Sequence, residues 1–275
     1  MLQRLGSEHI QEIKEYLHAH AQENILVLSD LMNPGDADRR WADPLSCIGY
    51  RIQDRVIAVQ AFYRYGRWFP HYTDERALDL MMEDMIPKRV HWLLGVRRVV
   101  DPIVKRLKPM GLTLDYDEKD YLYYTDPETL RPHPLPGIRR ATSRDVKAIA
   151  QMRSAFEGEY FDTPPARINP SWCTYIAERY VERGTFVAQR KGRVVSMAAI
   201  EATIPELSQI GAVYTRKGYR NRGLARGVVS ALCEEELCHK ERVTLTVKVD
   251  NEPALKAYGD LGFRHLADYR MGRFA

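Results

Sequence analysis

The stretch VYTRKGYRNRGLARGVVSALCEEEL, Val213 to Leu237, decides the fold. An apolar run ends at Thr215, a loop follows, and from about Gly223 the residues Leu224, Val228, Ala231 and Leu232 recur at helical spacing, so the stretch reads strand, turn, helix. Five cations, Arg216, Lys217, Arg220, Arg222 and Arg226, crowd the point where the helix begins. A helix N-terminus already carries partial positive charge on amides that have no intrahelical acceptor, so these cations oppose local stability unless an anion joins them. Gly223 lets the main chain approach a phosphate without a Cβ in the way, and Ala225 is small for the same purpose. The arginines would then add charge-assisted hydrogen bonds to phosphate oxygens.

Outward from this loop, the second half of the chain parses cleanly. GIRRAT is a strand, SRDVKAIAQMRSAFEGEY a helix with Val146, Ile149, Met152 and Phe156 on one face, and PSWCTYIAERYVERG a helix stopped by Gly184. TFVAQRKGRVVSMAAIEA is a hairpin turning at Lys191-Gly192. RVTLTVKV alternates as a strand, EPALKAYGDLG is a helix with Pro253 in its first turn, and FRHLADYRMGRF is a final strand. The order is βααβββαβαβ.

Arg220-Asn221-Arg222-Gly223-Leu224-Ala225 resembles the R/Q-x-x-G-x-G/A signature of the GCN5-related N-acetyltransferases, whereas neither G-x-x-x-x-G-K-[ST] nor G-x-G-x-x-G is present. Downstream, NEPALKAYGDLGF places Asn251, Ala254, Tyr258, Gly262 and Phe263 at the spacing of that family's N-x-x-A-x-x-x-Y-x-x-x-G-F motif. The resemblance covers about Arg139 to Phe274. It implies a cofactor, acetyl-CoA, serving as acyl donor, with its pyrophosphate on the amides of Arg220, Asn221, Arg222, Gly223, Leu224 and Ala225. It implies a pantetheine arm held by the main chain of Val213, Tyr214 and Thr215, with Asn251 near the thioester arm. Tyr258 would protonate the departing thiolate, and the strand amides would act as an oxyanion hole. Lys217 stands where the family often has proline, and Gly259 where it has a polar helix former.

No motif fixes the general base. Glu157, Glu159, Glu201 and Glu206 lie in elements that can face the cleft, and Glu159 and Glu201 are the preferred two. A metal is not expected: Cys47, Cys173, Cys233 and Cys238 form no CxxC pair, and five helical residues turn Cys233 and Cys238 apart.

DPETLRPHPLPG, Asp126 to Gly137, holds four prolines and reads as a linker over 127–137, dividing a domain over 1–126 from a catalytic one over 138–275. The halves are weakly alike. Arg4, Ser7, Ile10 and Ile13 fall on Arg140, Ser143, Val146 and Ile149, with the serines as candidate helix caps, and Arg55-Val56-Ile57-Ala58 falls on Arg193-Val194-Val195-Ser196. The first half lacks the basic loop: PKRVHWLLGVRRVVDPIVKRL keeps an apolar strand, Gly95 and a helix, but carries Pro102 inside that helix. The expected fold class is α/β, two domains of the resembled family, each a mixed, mostly antiparallel twisted sheet flanked by helices, the first a degenerate copy that packs or shapes the acceptor cleft.

Charge excludes little: 41 basic against 37 acidic residues leave +4, too slight to imply a polyanion partner. MLQRLGSEHIQEIKEYLHAH has no apolar core of a signal peptide, and no window is long and apolar enough to span a bilayer, so a cytoplasmic location without a membrane partner is expected. The sequence therefore points to an acyl-CoA-dependent N-acyltransferase acting by direct attack of an amine on the thioester. Its acceptor, a small-molecule or peptide amine, is left unread, and monomer and homodimer stay open. A non-catalytic acyl-CoA-binding or regulatory module is the rival reading; a nucleic-acid surface is disfavoured because the basic loop is taken by the donor. The aromatic run AFYRYGRWFPHY, Ala61 to Tyr72, reads as hairpin packing.

Overall fold

Residues 2–33, 45–64, 66–86 and 88–275 are described in the computed structural model. The first half forms β1 (Leu2–Leu5), α1 (Ile10–Ala19), α2 (Ala21–Met32), β2 (Leu45–Ile52), β3 (Arg55–Tyr63), β4 (Arg67–Tyr72), α3 (Leu78–Met85), β5 (Trp92–Val96), α4 (Arg97–Leu107) and β6 (Leu114–Thr125). The second forms β7 (Ile138–Arg140), α5 (Val146–Tyr160), α6 (Pro170–Arg183), β8 (Thr185–Arg190), β9 (Arg193–Ile204), β10 (Leu207–Thr215), α7 (Leu224–Glu236), β11 (Arg242–Lys248), α8 (Glu252–Asp260) and β12 (Arg264–Phe274). Both halves follow the order βααβββαβαβ, and the paired blocks fall on matching elements. Ile10 and Val146 each open the first helix, and Arg55 and Arg193 each open the third strand.

Two compact units result, and they do not follow chain order. One comprises residues to Leu122 with Val247–Asp250 and Leu266–Ala275, the other Tyr123–Thr246 with Asn251–His265. The C-terminal strand is the reason. Its far end pairs antiparallel with β5, from Tyr269↔Val96 to Arg273↔Trp92, and ion pairs from Arg270 to Asp101 and Asp117 and from Arg273 to Asp115 hold it there. The proline-rich segment 127–137 likewise belongs inside the second unit rather than between units.

In the first unit the strands run β1-β2-β3-β4-β5-β12-β6, with β4 and β5 parallel. Trp68, Leu78, Met81, Leu93, Val100, Ile103 and Leu107 fill its core. Trp68 stacks on Phe62 with ring centroids 6.0 Å apart, which places these two of the aromatic run in hairpin packing; Tyr65 lies outside the described residues. Pro102 survives inside α4 because the carbonyl it orphans is taken: proline has no N–H for Arg98 O, and the Tyr72 hydroxyl donates to that oxygen at 3.2 Å.

The second unit orders its strands β11-β10-β9-β8-β7 around a core including Ile149, Met152, Ala177, Tyr180, Met197 and Tyr214. Lys191 and Gly192 turn the β8–β9 hairpin with φ of 48° and 75°, the left-handed pair a two-residue turn requires. The entry to α5 is capped by Thr142, not Ser143: Thr142 and Asp145 form a capping box, and Arg139 grips the Asp145 carboxylate at 2.7 and 2.9 Å. Among the described residues no helix is long and apolar enough to cross a membrane.

Candidate functional site

The site begins where two parallel strands part. β10 pairs with β11 from Leu207↔Arg242 to Ile210↔Leu245, yet β10 runs on to Thr215. On its other side the register against β9 shifts twice, between Gln209 and Ile210 and between Gly211 and Tyr214, and Ala212 has a φ of 47°. Such a bulge bends the strand and turns main-chain amides out of the ladder. The segment from Gly211 to Thr215 thus presents backbone donors on the side that β11 has left.

β10 leads into the basic loop, where Asn221 and Gly223 both adopt left-handed conformations, with φ of 59° and 68°. The first amide to bond within α7 is that of Gly227, to Gly223 O at 2.9 Å, so those of Leu224, Ala225 and Arg226 have no intrahelical acceptor. Consecutive amides in this arrangement make a concave anion site, and a side chain at Gly223 would be strained at its φ.

All five cations have protein partners, and three of them hold groups at 3.2 Å or less. Arg216 donates to Val194 O and Gln151 Oε1, Arg220 to Thr215 O at 2.9 Å and Glu159 Oε2 at 2.6 Å, and Arg226 to Asp260 Oδ2 at 2.7 Å. They brace the loop. Lys217, its side chain 74% exposed and 3.8 Å from Glu159, and Arg222, which donates to Gly218 O at 3.3 Å and lies over the Tyr219 ring, carry the outward charge.

Two of the sequence-nominated carboxylates flank the bulge. Glu159 accepts from the Tyr214 hydroxyl at 2.7 Å as well as from Arg220, tying α5 to both strand and loop. Burial pushes its carboxyl up, but the hydrogen bonds from Arg220 and Tyr214, with the charges of Arg220 and Lys217, outweigh this and hold it below its ordinary 4.5. Glu201 is the residue that the first register shift leaves unpaired on β9, and its carboxylate lies against Gly211. A Cβ at Gly211 would overlap Glu201 Oε2 and stand 2.9 Å from Cδ. Glycine at 211 is what lets this carboxylate reach the bulge. Glu157 pairs with Arg153, and its carboxyl is raised by burial and by Glu201 against the pull of Arg153. Glu206 lies in the turn before β10, about seven residues or roughly 20 Å from Val213, too far to take a proton there.

The other nominated residues fall on α8 and β10. Asn251 caps α8, its Oδ1 accepting from Ala254 N at 3.2 Å, and the Thr215 hydroxyl meets that of Ser196 at 2.8 Å, so both side chains also serve the fold. Tyr258 is 7% exposed with its ring 5.7 Å from Phe263, its hydroxyl makes no hydrogen bond among the described residues, and burial pushes its pKa up. Gly259 beside it has no atom near where a Cβ would stand, so its cost to α8 is propensity alone.

The sequence reading passed over Gly211, Arg153 and His133. Arg153 lies over the Phe156 ring with its Nε buried and without a hydrogen-bond acceptor. His133, in the proline-rich segment, comes within 3.4 Å of the point where a Cβ of Gly223 would stand. Their signal was faint: a histidine between prolines and an arginine one turn before a glutamate are common patterns.

In the first unit the corresponding strands also diverge, since β4 and β5 pair only at Arg67↔Trp92 and Trp68↔Leu93. Here side chains bridge the divergence. Arg98 donates to Tyr72 O at 3.2 Å and reaches Glu23 and His71, whose ring also meets the Tyr16 hydroxyl at 2.8 Å.

A bulged strand that leaves its parallel neighbour thus runs into an amide-lined helix start, an arrangement that offers backbone donors beside an anion site. The family model described as Acetyltransferase (GNAT) family matches residues 147–263. An L-amino acid N-acetyltransferase of Escherichia coli is 31% identical over 133 residues, which cover 46% of this chain and 81% of that protein. A solved Drosophila protein superposes with a TM-score of 0.73 at 13% identity, covering 100% of this chain and 98% of that one. A tandem GNAT protein from the clavulanic acid biosynthesis pathway superposes at 0.60 with 14% identity, covering 99% and 98%. The chain belongs to the GNAT acetyltransferase family, and its fold is that of two such domains in tandem.

Proposed function

We propose that the chain transfers an acetyl group from acetyl-CoA to the amine of an amino acid or a related primary amine, by direct attack within a ternary complex. The observation that carries this is the Glu201 carboxylate lodged against Gly211 at the point where β10 parts from β11.

The residues fit the donor. The left-handed Asn221 and Gly223 and the open amides of Leu224, Ala225 and Arg226 suit a pyrophosphate, and the main chain of Val213, Tyr214 and Thr215 suits a pantetheine arm. When bound, acetyl-CoA supplies an activated thioester. The amides on the bulge would stabilise negative charge on the acetyl oxygen. Glu201 takes the proton of the attacking amine; Glu159, held ionised by Arg220, positions the loop instead. Tyr258, kept protonated by burial, would give a proton to the departing sulfur. Asn251, as cap of α8, sets where Tyr258 stands.

For the acceptor, Arg153, its charge already shared with Glu157, keeps a buried Nε with no acceptor, a hydrogen-bond donor for a substrate carboxylate, and the Escherichia coli relative is named for L-amino acids. The first unit, its divergence bridged by Arg98, Glu23 and His71, would carry no donor in this reading.

Thiol release from acetyl-CoA with a panel of amino acids and plain amines, with the product checked by mass spectrometry, tests the proposal. Binding of CoA with no acetylated product from any amine would instead favour the non-catalytic acyl-CoA-binding module.

A further inference from the structure

The proline-rich segment was expected to be a tether, but it lies along α7. Leu135 sits where a Cβ of Gly227 would meet its own Cβ at 3.1 Å, and His133 Nε2 sits 3.4 Å from the corresponding point on Gly223. The segment thus packs on one face of α7, where Gly223 and Gly227 leave room for it. The His133 amide donates to Ser230 Oγ at 2.7 Å, and Ser230 Oγ donates onward to Glu234 at 2.8 Å, so the main chain of His133 is pinned at Ser230 and its ring reaches back along α7 toward Gly223. Pro132, Pro134 and Pro136 each lock φ, so little backbone freedom is left to lose on ordering.

The outcome is an imidazole held at the mouth of the amide cradle. Its ring makes no hydrogen bond with any described residue, while its main-chain amide is fixed on Ser230. The neighbouring cation, Arg226, donates to Asp260 through Nη1 while its Nη2 lies 4.0 Å from the same point on Gly223, so imidazole and guanidinium share that edge of the loop. A half-buried imidazole beside an anion site, its ring nitrogens uncommitted to other described residues, can serve as a ligand there.

Resting on the reading of the loop as the site for the donor's pyrophosphate, we propose that His133 is a pyrophosphate ligand, donating a ring N–H to an oxygen that the helix amides also hold. The segment between the halves is then one wall of the donor site, not a spacer.

Affinities of wild type, His133→Ala and His133→Gln for CoA, dephospho-CoA and pantetheine, measured by calorimetry alongside melting temperatures, test this. Loss of one charge-assisted hydrogen bond should weaken CoA and dephospho-CoA about tenfold in His133→Ala, leave pantetheine unmoved, and be partly restored by the amide donor of His133→Gln. Equal affinities for CoA in wild type and His133→Ala overturn the role of His133 while leaving the loop reading intact. A deficit that extends to pantetheine overturns it too, as does one that vanishes with dephospho-CoA. A wild-type chain that binds none of the three overturns both.

Discussion

Gly211→Ala is the most revealing single change, because it adds one methyl group at a point that only the placement of Glu201 makes sensitive. In the native site a Cβ there would overlap Glu201 Oε2 and stand 2.9 Å from Cδ. Ordinary contact needs about 3.4–4.0 Å, so the carboxylate has to withdraw by roughly 1 Å. The side chain end is flexible and can give, so the fold should hold with a melting temperature within a few degrees of wild type. Catalysis should not be spared. A misplacement of about 1 Å in a reacting group costs about 10²-fold in rate, equivalent to about 2.7 kcal/mol on the barrier. Loss of the base through Glu201→Gln should cost about 10²- to 10⁴-fold. The assay is steady-state thiol release at saturating donor, run for both single variants and for the double. If Glu201 is the base, the double variant is no worse than Glu201→Gln alone, since a base already absent cannot be displaced. Full activity in Gly211→Ala, or additive losses in the double, would refute the assignment.

Three further outcomes are expected. Tyr258→Phe should lower transfer by about 10²-fold with CoA affinity unchanged, read by turnover and calorimetry; equal turnover would remove its role as acid. Asp145→Ala breaks both the capping box and the grip of Arg139, and should cost about 2 kcal/mol, seen as a drop of several degrees in melting temperature. Arg139 holds the Asp145 carboxyl below its ordinary 3.8, so this stabilisation is complete above that pH and is lost as pH falls through the lower folded value. Asp145→Asn should accordingly flatten the acid limb of the stability curve. Glu159, also held low, should keep the loop braced above about pH 4.5, and Glu159→Gln should weaken CoA binding at pH 7 to nearly the value wild type shows in acid, measured by calorimetry at both pH values.

The sequence by itself determined the element order, because strand alternation, helical spacing and turn residues are local. Lys191-Gly192, Gly184 and Gly223 each stand where a left-handed or stopping residue is needed, and each does that work in the fold. It determined the likeness of the halves as well, since Ile10 and Val146, and Arg55 and Arg193, open matching elements. It named the strand and the loop, because those follow contiguous motifs, and left four carboxylates that no motif tells apart.

Only the tertiary structure decided what depends on distant residues meeting. The far end of β12 leaves its own half to pair with β5, an exchange no local signal marks because a strand's pattern gives its faces and not its neighbour. Glu159 and Glu201 looked alike in sequence; Arg220 and Tyr214 claim one and Gly211 admits the other, and they separate into a brace and a candidate base. Three arginines that looked free for phosphate are held by carboxylates, carbonyls and an amide brought in from other elements. The prolines that marked a linker proved to be its stiffening, and the histidine between them reaches the loop only because two glycines one turn apart on α7 leave it room.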